Sequence, residues 1–538
     1  MKRLIPAVVA LLGLPAPALA QRAAPPEIRS NGDIWLGNAS KLGTRRPNSK
    51  IDIVDTMSAA GMPFSDIVAS IAYMPPPSGN ADTDAANFAA TQGKGARVVL
   101  LQSGEYFYGP NGWPALTSGQ EIVGQGSLKT KLTATAVAAP DAEGVLRGFE
   151  VSDVVVRGLT VDYKGLREPR LAWAPVAFRN IANLRVSDVQ ITGYPRFGFT
   201  INGGSDFRVE NVSIIRSTTP LDANGAVIPK GVQNQCVIVS EGVNPVNRGV
   251  FSDVYCNGSA FNTSGADIDY IRTEVDRFDF GNAYVTEQGA NSLRHRFYNV
   301  KARSGRSNPD TGLDMNNTSA GCFEIWSPGS IVEGSECDNV GGGGLALGGK
   351  NSRVTNNRFT RLGMQVGSEG IGARYELGGQ FSADGSLIAN NVIVNTNGSG
   401  DGSNLVHAYQ EQSLTEAMTV RLVGNDFGPA PFTRKGLGAK WAAPGMLLKA
   451  SSGAYTHSPG SILAPIDIAV VGARRKGDVI ASVSFQASDG SALPTGVRAF
   501  AEVNADNNVK FYTQDISGGS SNIPVPAGTF TARLISVD

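Results

Sequence analysis

Alternating apolar and polar residues recur in short stretches along the central part of the chain. Eight segments share one pattern, in which an apolar stretch reaches Asn, Asp or Gly and then resumes with apolar residues at every second position. A period of two favours β-strands over helices, and repetition of one motif favours a stacked solenoid. The polar turn residues of the eight segments are Gly158, Asp188, Asn211, Asp253, Asn299, Asn357, Asn391 and Asn425.

The spacing of this motif separates two all-β architectures. Successive turn residues lie 23 to 58 residues apart, which corresponds to about one to two and a half coils of a solenoid with loops inserted on one face. An antiparallel sandwich would instead show hairpin turns between neighbouring strands. Because each strand is followed by a corner and a new copy of the same motif, we predict a parallel β-helix.

Three upstream segments resemble a known group of proteins. DTDAANFAA begins at Asp82, ARVVLLQSGEYF at Ala96 and EIVGQG at Glu121. Together they resemble the opening of the pectate-lyase-like superfamily, although Gln-Ser-Gly at 102–104 replaces the usual Pro-x-Gly. The resemblance covers residues 75–430 approximately. It implies a right-handed parallel β-helix with a capping helix at 84–90, and an activity among polysaccharide lyases, glycoside hydrolases and tailspike-type depolymerases.

The repeat ends near Phe432, and a different alternation follows it. Five stretches between residues 467 and 535 alternate apolar and polar residues and predict a small antiparallel β-sandwich. We interpret it as a structural cap, with carbohydrate binding as the alternative. The predicted organisation is a signal peptide at 1–20, a wrapping segment at 21–74, a catalytic β-helix at 75–431 and the sandwich-like domain at 432–538.

Composition and charge limit the ligands that the chain can bind. Gly accounts for 65 of 538 residues, and this excess suits turn-dense β architecture better than helices. The 47 basic residues are matched by 47 acidic ones, which removes the broad basic field needed for nucleic-acid binding. We therefore expect no nucleic-acid partner, and a polyanionic ligand would need a local basic patch.

The N-terminus has the pattern of a secretory signal peptide. Two basic residues precede an apolar run over residues 4–14, and small residues at Ala18 and Ala20 fit cleavage after Ala20. The run is too short to span a bilayer as a stable helix, so an uncleaved anchor is the less favoured alternative. A secreted or periplasmic protein without a membrane span is predicted.

The four cysteines fall into two pairs that are close in sequence. Disulfides Cys236–Cys256 and Cys322–Cys337 are favoured because the loops are short and an exported chain permits oxidation. Buried free thiols in a stacked core are the alternative. Metal ligation is disfavoured, since no CxxC motif or histidine lies at ligand spacing.

A second strand should follow the corner in each coil, and its outward side chains would line one long groove. Strands stack about 4.8 Å apart, so carboxylates on neighbouring coils can reach the separations that glycoside hydrolysis needs. The catalytic candidates on these strands are Asp267, Asp269, Asp314, Arg374, His407 and Tyr409. The substrate-binding candidates are Asn202, Asn316, Glu324, Trp326 and Glu376, with Thr200 also facing outward.

Two of these assignments have explicit alternatives. Glu324 and Trp326 face the groove only if CFEIW is the active-face strand, and Trp326 is then a sugar-stacking platform or, as the alternative, a rim residue that shields apolar surface. Asp267 and Asp269 have no obvious base beside them, so a calcium site or a corner hydrogen-bonding role is the alternative to catalysis. We expect no required cofactor, with Ca²⁺ at these two residues as the one candidate.

Basic residues are concentrated in two stretches of the chain. A solvated charged face is the default interpretation, and recognition of uronate carboxylates by arginine forks is the alternative. His295 lies within the second stretch, but its strand aligns with those outside the groove, so His407 ranks above it. The basic residues are Lys164, Arg167 and Arg170, then Arg294, Arg296, Lys301, Arg303 and Arg306.

Three functions fit these patterns. The favoured one is a lyase that cleaves a uronate-containing polysaccharide by β-elimination, with Arg374, His407 and Tyr409 supplying charge neutralisation and proton transfer. A glycoside hydrolase or transglycosylase would use two of the groove carboxylates. A non-catalytic surface or adhesion β-helix is the third. The sequence does not distinguish a monomer from a trimer.

Overall fold

The computed structural model describes residues 27–28, 34–35, 70–170, 173–228, 234–279, 281–287, 291–305, 321–364, 368–376, 381–394, 405–411, 420–427, 432–433, 446–469, 478–505 and 508–536. The predicted signal peptide lies outside these ranges.

The described residues are mostly strands, with a single helix, α1 (Ala81–Gln92). The first strands are β1 (Glu27–Ile28), β2 (Ile34–Trp35), β3 (Ile71–Tyr73), β4 (Val98–Leu100), β5 (Gly104–Tyr108), β6 (Glu121–Val123), β7 (Thr130–Ala134), β8 (Leu146–Phe149), β9 (Ser152–Asp162), β10 (Val176–Tyr194), β11 (Phe197–Glu210) and β12 (Ser213–Arg216). The central strands are β13 (Gln235–Ser240), β14 (Asn247–Ser252), β15 (Tyr255–Asn257), β16 (Ala260–Thr263), β17 (Ala266–Ile271), β18 (Glu274–Asp276), β19 (Asn282–Thr286), β20 (Arg296–Tyr298), β21 (Lys301–Arg303), β22 (Gly321–Ile325), β23 (Ile331–Glu333), β24 (Glu336–Asp338), β25 (Leu345–Leu347), β26 (Arg353–Thr355), β27 (Arg358–Thr360) and β28 (Ser368–Ala373).

The remaining strands complete the last coils and a separate C-terminal unit. They are β29 (Tyr375–Glu376), β30 (Phe381–Ser382), β31 (Leu387–Ala389), β32 (Val392–Val394), β33 (Leu405–Glu411), β34 (Arg421–Val423), β35 (Phe432–Thr433), β36 (Met446–Ser452), β37 (Tyr455–His457), β38 (Ile462–Ala469), β39 (Asp478–Ala487), β40 (Val497–Ala505), β41 (Asn508–Asp515), β42 (Ile523–Val525) and β43 (Gly528–Ser536).

Three long parallel sheets form a solenoid. Sheet 1 contains β8, β13, β16, β19, β22, β25, β28, β33 and β35 with the first parts of β10 and β11. Sheet 2 contains β3, β4, β6, β14, β17, β20, β23, β26, β31 and β34 with parts of β9, β10 and β11. Sheet 3 contains β5, β7, β12, β15, β18, β21, β24, β27 and β32 with the ends of β9 and β10.

One coil contributes a strand to each sheet in turn, as β13, β14 and β15 do before β16, β17 and β18 repeat the order. This is the predicted right-handed parallel β-helix, and the fold class is confirmed. Within the described ranges, the structure contains no helix whose length and hydropathy suit a membrane span.

Left-handed backbone conformations stack at the corner between sheets 2 and 3. Asp188, Asn211, Asp253 and Asn299, all predicted as turn residues, have φ between 52° and 55° there. Asn and Asp tolerate this region better than other residues with a Cβ, since their short polar side chains bond to nearby groups. The predicted corner motif is confirmed in these coils.

The last three predicted turn residues have a different role. Asn357, Asn391 and Asn425 are buried, and the residue before each of them takes the left-handed conformation instead. Nδ2 of Asn357 donates to Oδ1 of Asn391 at 2.9 Å, and Nδ2 of Asn391 donates to Oδ1 of Asn425 at 2.9 Å. The amides therefore satisfy one another inside the solenoid, where an unpaired amide would be costly.

The core is filled by side chains that stack from coil to coil. Tyr270 lies over Phe297 with ring centroids 4.3 Å apart, and Tyr284 lies over Phe323 at 5.4 Å, all four rings being buried. Because parallel strands stay in register, equivalent inward positions meet directly, and stacked rings add to the free energy gained by burial.

Helix α1 covers the open N-terminal end of the solenoid. Oδ1 of Asn80 caps it by accepting the backbone N–H of Thr83 at 3.0 Å. Phe88 packs on Trp113 inside the first coils, with ring centroids 4.8 Å apart. The buried Asp84 carboxylate accepts the N–H of Phe107 at 2.8 Å, which ties the helix to β5. The predicted capping helix is confirmed and is longer than residues 84–90.

The C-terminal unit is antiparallel. Strands β36, β43 and β39 form one sheet, β38, β41 and β40 form a second, and β37 pairs with β42. Phe511 and Phe530 meet between the two larger sheets at 5.6 Å. This agrees with the predicted sandwich, and an ion pair from Lys449 to Asp426 links it to the last coil.

Both favoured disulfides are present. Cys236–Cys256 and Cys322–Cys337 each join sheet 1 to sheet 3 within a single coil. All four residues are buried, and within the described residues there are no free cysteines.

Replacing Cys322 and Cys337 together by alanine should lower the free energy of unfolding. A loop closed over a sequence separation of 15 restricts the unfolded chain by about 3 kcal/mol. Urea unfolding of the oxidised variant and the wild type measures this difference. Thiol titration of the unfolded wild type is the control, because intact disulfides leave no reactive thiol. Four reactive thiols in the wild type, together with equal urea midpoints for the wild type and the variant, would contradict the prediction.

Candidate functional site

The outer face of sheet 1 brings several predicted groove residues onto one surface. Residues paired across parallel strands lie about 4.8 Å apart, so they form columns along the solenoid. One outward column contains Thr200, Ile238, Asn262, Val285, Glu324, Ala346, Gly372 and Gln410. Glu324 is thus flanked on one side by a run of small residues.

Glu324 is held by two donors from the protein. Nε1 of Trp326 donates to Oε1 at 2.8 Å, and Nδ2 of Asn282 donates to Oε2 at 2.7 Å. Trp326 directly follows the strand of Glu324, and Asn282 is on the preceding strand of the sheet. The carboxylate is half-buried and fixed in orientation on the outer face of the sheet.

CFEIW is therefore an outward-facing strand of sheet 1, as one of the two sequence interpretations required. Trp326 itself is only 9% exposed, and its ring covers Gly348 so closely that a Cβ there would collide with it. The tryptophan orients Glu324 and forms one wall of the surface. This burial does not suit the exposed sugar platform expected from the sequence.

Small residues form a floor beside Glu324. Ala346 and Gly372 follow Glu324 in its column, and Gly348 lies under the Trp326 ring. A Cβ at Gly372 would come within 3.0 Å of Oε2 of Glu369. Between Glu324 and Glu369 this column of the outer face carries only the methyl group of Ala346 and the backbone of Gly372, and we call this stretch of low side-chain bulk the depression.

Glu369 and Arg374 lie at the far side of this floor. Nη2 of Arg374 is 3.3 Å from Oε2 of Glu369, and both side chains are about a quarter exposed, at 26% and 22%. The strands that carry Glu324 and Glu369 are separated by one intervening strand, β25. Two carboxylates and a guanidinium therefore border one depression.

His407 extends the group to the next coil. It pairs with Glu369 across β28 and β33, at a point where the register shifts. The side chain is half-buried. The shift is a β-bulge, which turns a side chain away from the strict alternation of its strand.

Tyr409, in contrast, is not on the groove. Tyr409 is fully buried, and its hydroxyl donates to Oε1 of Glu411 at 3.0 Å inside the solenoid. The sequence analysis placed His407 and Tyr409 on one face because they are two residues apart. That placement is corrected, since Gln410 is the outward residue of this part of β33.

Asn202 is outward and exposed on sheet 1, but it lies on β11. Four strand steps separate β11 from β22, so Asn202 is roughly 19 Å from the strand of Glu324. It shares the groove face with Glu324 without belonging to the same cluster.

Asp267 and Asp269 lie on sheet 2, away from the surface that carries Glu324. Nε and Nη2 of Arg294 bind the Asp267 carboxylate at 2.8 and 2.6 Å, and Arg296 pairs with Asp269. Hydrogen bonds from Arg294 lower the pKa of Asp267, whose φ of 57° puts it at a corner. Their predicted position in the groove is corrected, because a period of two does not reveal which sheet a strand joins.

This pairing also bears on the calcium hypothesis. A guanidinium already occupies each carboxylate, and its positive charge opposes a cation at the same oxygens. In the described part of the chain, no three acidic, histidine or cysteine side chains are grouped as metal ligands. The arrangement fits the corner hydrogen-bonding role.

The second basic stretch is neutralised across the coils. Arg303 pairs with Glu274 at 3.5 Å, and Lys301 lies 3.8 Å from Glu336. Together with the pairs of Arg294 and Arg296, this agrees with a solvated charged face.

Four other predicted residues cannot be placed on the surface. Asp314 and Asn316 lie outside the described residues, and so does Arg306. Glu376 belongs to β29, but its side chain is outside the description.

Two residues of the site were not singled out from the sequence. Glu369 precedes the segment IGARYELGG that was interpreted as the groove strand, and β28 begins three residues earlier, at Ser368. Asn282 begins β19, and the sequence analysis did not select this strand because it contains no acidic or basic residue. Glu369 and Arg374 are five residues apart, and strand alternation does not bring residues at that spacing together, so the sequence pattern carried no signal for Glu369.

His295 is interior, as its ranking below His407 anticipated. It is fully buried, with Nε2 2.9 Å from the carbonyl oxygen of Gly265 and Nδ1 3.2 Å from the hydroxyl of Tyr270. Burial lowers its pKa to about 4, although the hydrogen bond to the carbonyl of Gly265 acts to raise it. A buried neutral imidazole has no access to a substrate.

No protein-family model matches the sequence, and no curated protein matches it either. Solved structures do match. The A-module of a mannuronan C-5 epimerase from Azotobacter vinelandii is 13% identical over 67% of this chain and 93% of its own, with a TM-score of 0.48. The tailspike of Escherichia coli bacteriophage HK620, solved with a pentasaccharide, is 12% identical over 87% and 94%, with a TM-score of 0.44. The catalytic domain of a GH87 α-1,3-glucanase is 12% identical over 64% and 68%, with a TM-score of 0.43. At these identities the similarity concerns the fold.

Acidification should destabilise the protein through His295. Its pKa is about 4 when folded and about 6.5 when unfolded, so the unfolded state binds the proton first as the pH falls below 6.5. The contribution is complete above pH 6.5, and about 2 kcal/mol of it is lost by pH 5. Urea unfolding at pH 7 and pH 5 measures the loss, with His295→Gln as control. An equal loss in both proteins would show that other groups cause it.

Proposed function

We propose that the chain is a polysaccharide-cleaving enzyme and that the depression bordered by Glu324, Glu369 and Arg374 is its active site. The observation that carries this proposal is the pair of carboxylates on the outer face of sheet 1, where Glu324 shares a column with Ala346 and Gly372, and Oε2 of Glu369 lies beside Gly372. The floor lies on the outer face of a parallel sheet, so a polymer can bind along it at an internal position and does not have to enter by one of its ends.

The spacing of the two carboxylates supports hydrolysis with inversion. Their strands are two steps apart, or about 9.6 Å at the backbone. Inverting glycosidases hold their carboxyl groups about 6.5–9.5 Å apart to leave room for water, whereas retaining ones hold them at about 5–5.5 Å. Glu369 also lies three residues before Gly372, the residue in register with Glu324, so the two backbones are farther apart than this, and a retaining separation is the less compatible one.

The contacts suggest how the two roles divide. Both oxygens of Glu324 accept N–H groups, an arrangement that suits a carboxylate able to take a proton from water. Glu369 is then the acid that protonates the departing glycosidic oxygen. Arg374 positions Glu369, and Trp326 and Asn282 position Glu324.

β-Elimination, favoured by the sequence analysis, is the second candidate, and the position of Arg374 supports it. A guanidinium that faces the same floor can neutralise a uronate carboxylate, and His407 on the next strand can take the C5 proton. Two findings weaken it: Tyr409 is buried, and Arg374 already has Glu369 as a partner.

Incubation of the secreted chain with neutral and uronate-containing polysaccharides tests the proposal. Hydrolysis releases reducing ends without a new double bond, so we expect reducing ends to rise with no ultraviolet absorbance from an unsaturated product. A parallel rise in both signals would replace hydrolysis by β-elimination. Silence across the panel would count against an enzyme and favour an adhesion role.

Glu324→Gln and Glu369→Gln should each lower kcat by about 10²-fold to 10⁴-fold, because each removes a group that transfers a proton in the transition state. Glu333→Gln is the matched control, since Glu333 lies in the coil of Glu324 but faces outward from sheet 2. Circular dichroism and the urea midpoint verify folding. Equal activity of all three variants would move the active site elsewhere.

A further inference from the structure

A second charged surface lies on sheet 2, near the N-terminal end of the solenoid. It is a cleft of about 490 Å³, on a different sheet from Glu324 and Glu369. Its lining includes four arginines and three acidic residues: Arg97, Arg157, Arg185, Arg208, Glu121, Asp153 and Glu210.

The acidic residues of this cleft already have partners. Glu121 pairs with Arg157 at 2.8 Å, and Glu210 pairs with Arg208 at 3.2 Å. Oδ1 of Asp153 accepts Nδ2 of Asn183 at 2.7 Å. Glu121 and Glu210 are thus neutralised by arginines, whereas Asp153 keeps its charge because its partner is a neutral amide, so the four arginines outnumber the three acidic residues by one.

Arg97 and Arg185 are exposed at the cleft, and within the described residues neither has an ion-pair partner. The head of Arg97 lies over Gly119, with Nη2 3.6 Å from where a Cβ would be. Arg185 stands directly opposite Arg208 across β10 and β11, so two positive charges are about 4.8 Å apart at the backbone. Like charges in directly opposed positions destabilise a sheet.

Elsewhere on the solenoid, the register places opposite charges together. Asp269 opposes Arg296 on sheet 2, and Glu274, Lys301 and Glu336 alternate in sign along sheet 3. The pair of Arg185 and Arg208 departs from this rule, and it does so where the surface is concave. An uncompensated guanidinium in a cleft is suited to bind a carboxylate through its fork of donors.

We propose that this cleft binds the carboxylates of an acidic polysaccharide, at a site separate from the proposed catalytic depression. Arg97 and Arg185 supply the two guanidinium groups without an ion-pair partner, and the partly exposed Val155 between Glu121 and Arg185 supplies apolar contact with a sugar ring. The site would retain the polymer on one face of the solenoid while another part of it reaches sheet 1.

The test is a binding titration of the full chain with a polygalacturonate fragment, using an amylose fragment of similar length as the uncharged probe. We expect binding of the acidic fragment only. The double variant Arg97→Gln with Arg185→Gln should bind it about 10-fold to 100-fold more weakly, since each lost charged hydrogen bond is worth about one order of magnitude. Arg353→Gln is the matched control, because Arg353 is also outward on sheet 2 but lies 4.0 Å from Glu333.

Equal binding by the double variant and the wild type, or equal binding of the two fragments, would overturn the proposal. Sodium sulfate and sodium chloride at matched ionic strength distinguish a polymer site from a site for a small dianion, and competition specific to sulfate would also overturn it. The cleavage rate of the same variants is measured separately. Lost binding with an unchanged rate supports the second site, and the titration remains interpretable if no cleavage is found.

Discussion

The parallel register between coils is the constraint on which the rest of this structure depends. Backbone hydrogen bonds hold each strand directly above its equivalent in the preceding coil, so every side chain has a neighbour of the same column about 4.8 Å away. Inside the solenoid this rule stacks Tyr270 on Phe297 and joins Asn357 to Asn391. Outside it, the same rule determines which charges meet. The candidate site also depends on this register, because the register brings residues that are far apart in sequence onto one outer surface.

The three sheets use their outer columns differently. Sheets 2 and 3 place acids against bases in successive coils, as Asp269 and Arg296 do, and such exposed pairs contribute little stability individually. Their main effect is to avoid opposing like charges. Sheet 1 instead places Ala346 and Gly372 in the column of Glu324, so this carboxylate has small residues as its neighbours along one side. A surface without side chains to fill it is where a ligand can approach the backbone.

The sequence was sufficient for the fold and insufficient for the site. Strand alternation, the corner residues and the capping helix are local properties, and the paired cysteines follow from short loops, so these could be predicted. Asp267 and Asp269 were misplaced because alternation reveals inside from outside but not which of three sheets a strand joins. Tyr409 was misplaced because apolar residues occupy both alternating sets of positions in this strand, and only the pairing with the inward Ile371 shows which set is buried. Glu369 was missed because it lies near the start of β28, ahead of the segment that was interpreted as the groove strand.

The two disulfides occupy coils that are three steps apart along the solenoid. In a repeat architecture each coil contacts mainly its neighbours, so unfolding that starts at one end spreads coil by coil. A covalent link between sheet 1 and sheet 3 prevents its coil from opening, and fraying from either end would stop there. The coils between the two links, which carry Asn282 and the ring of Tyr284, are therefore enclosed on both sides. Damage to a terminal coil, such as proteolytic loss, would leave this segment wound.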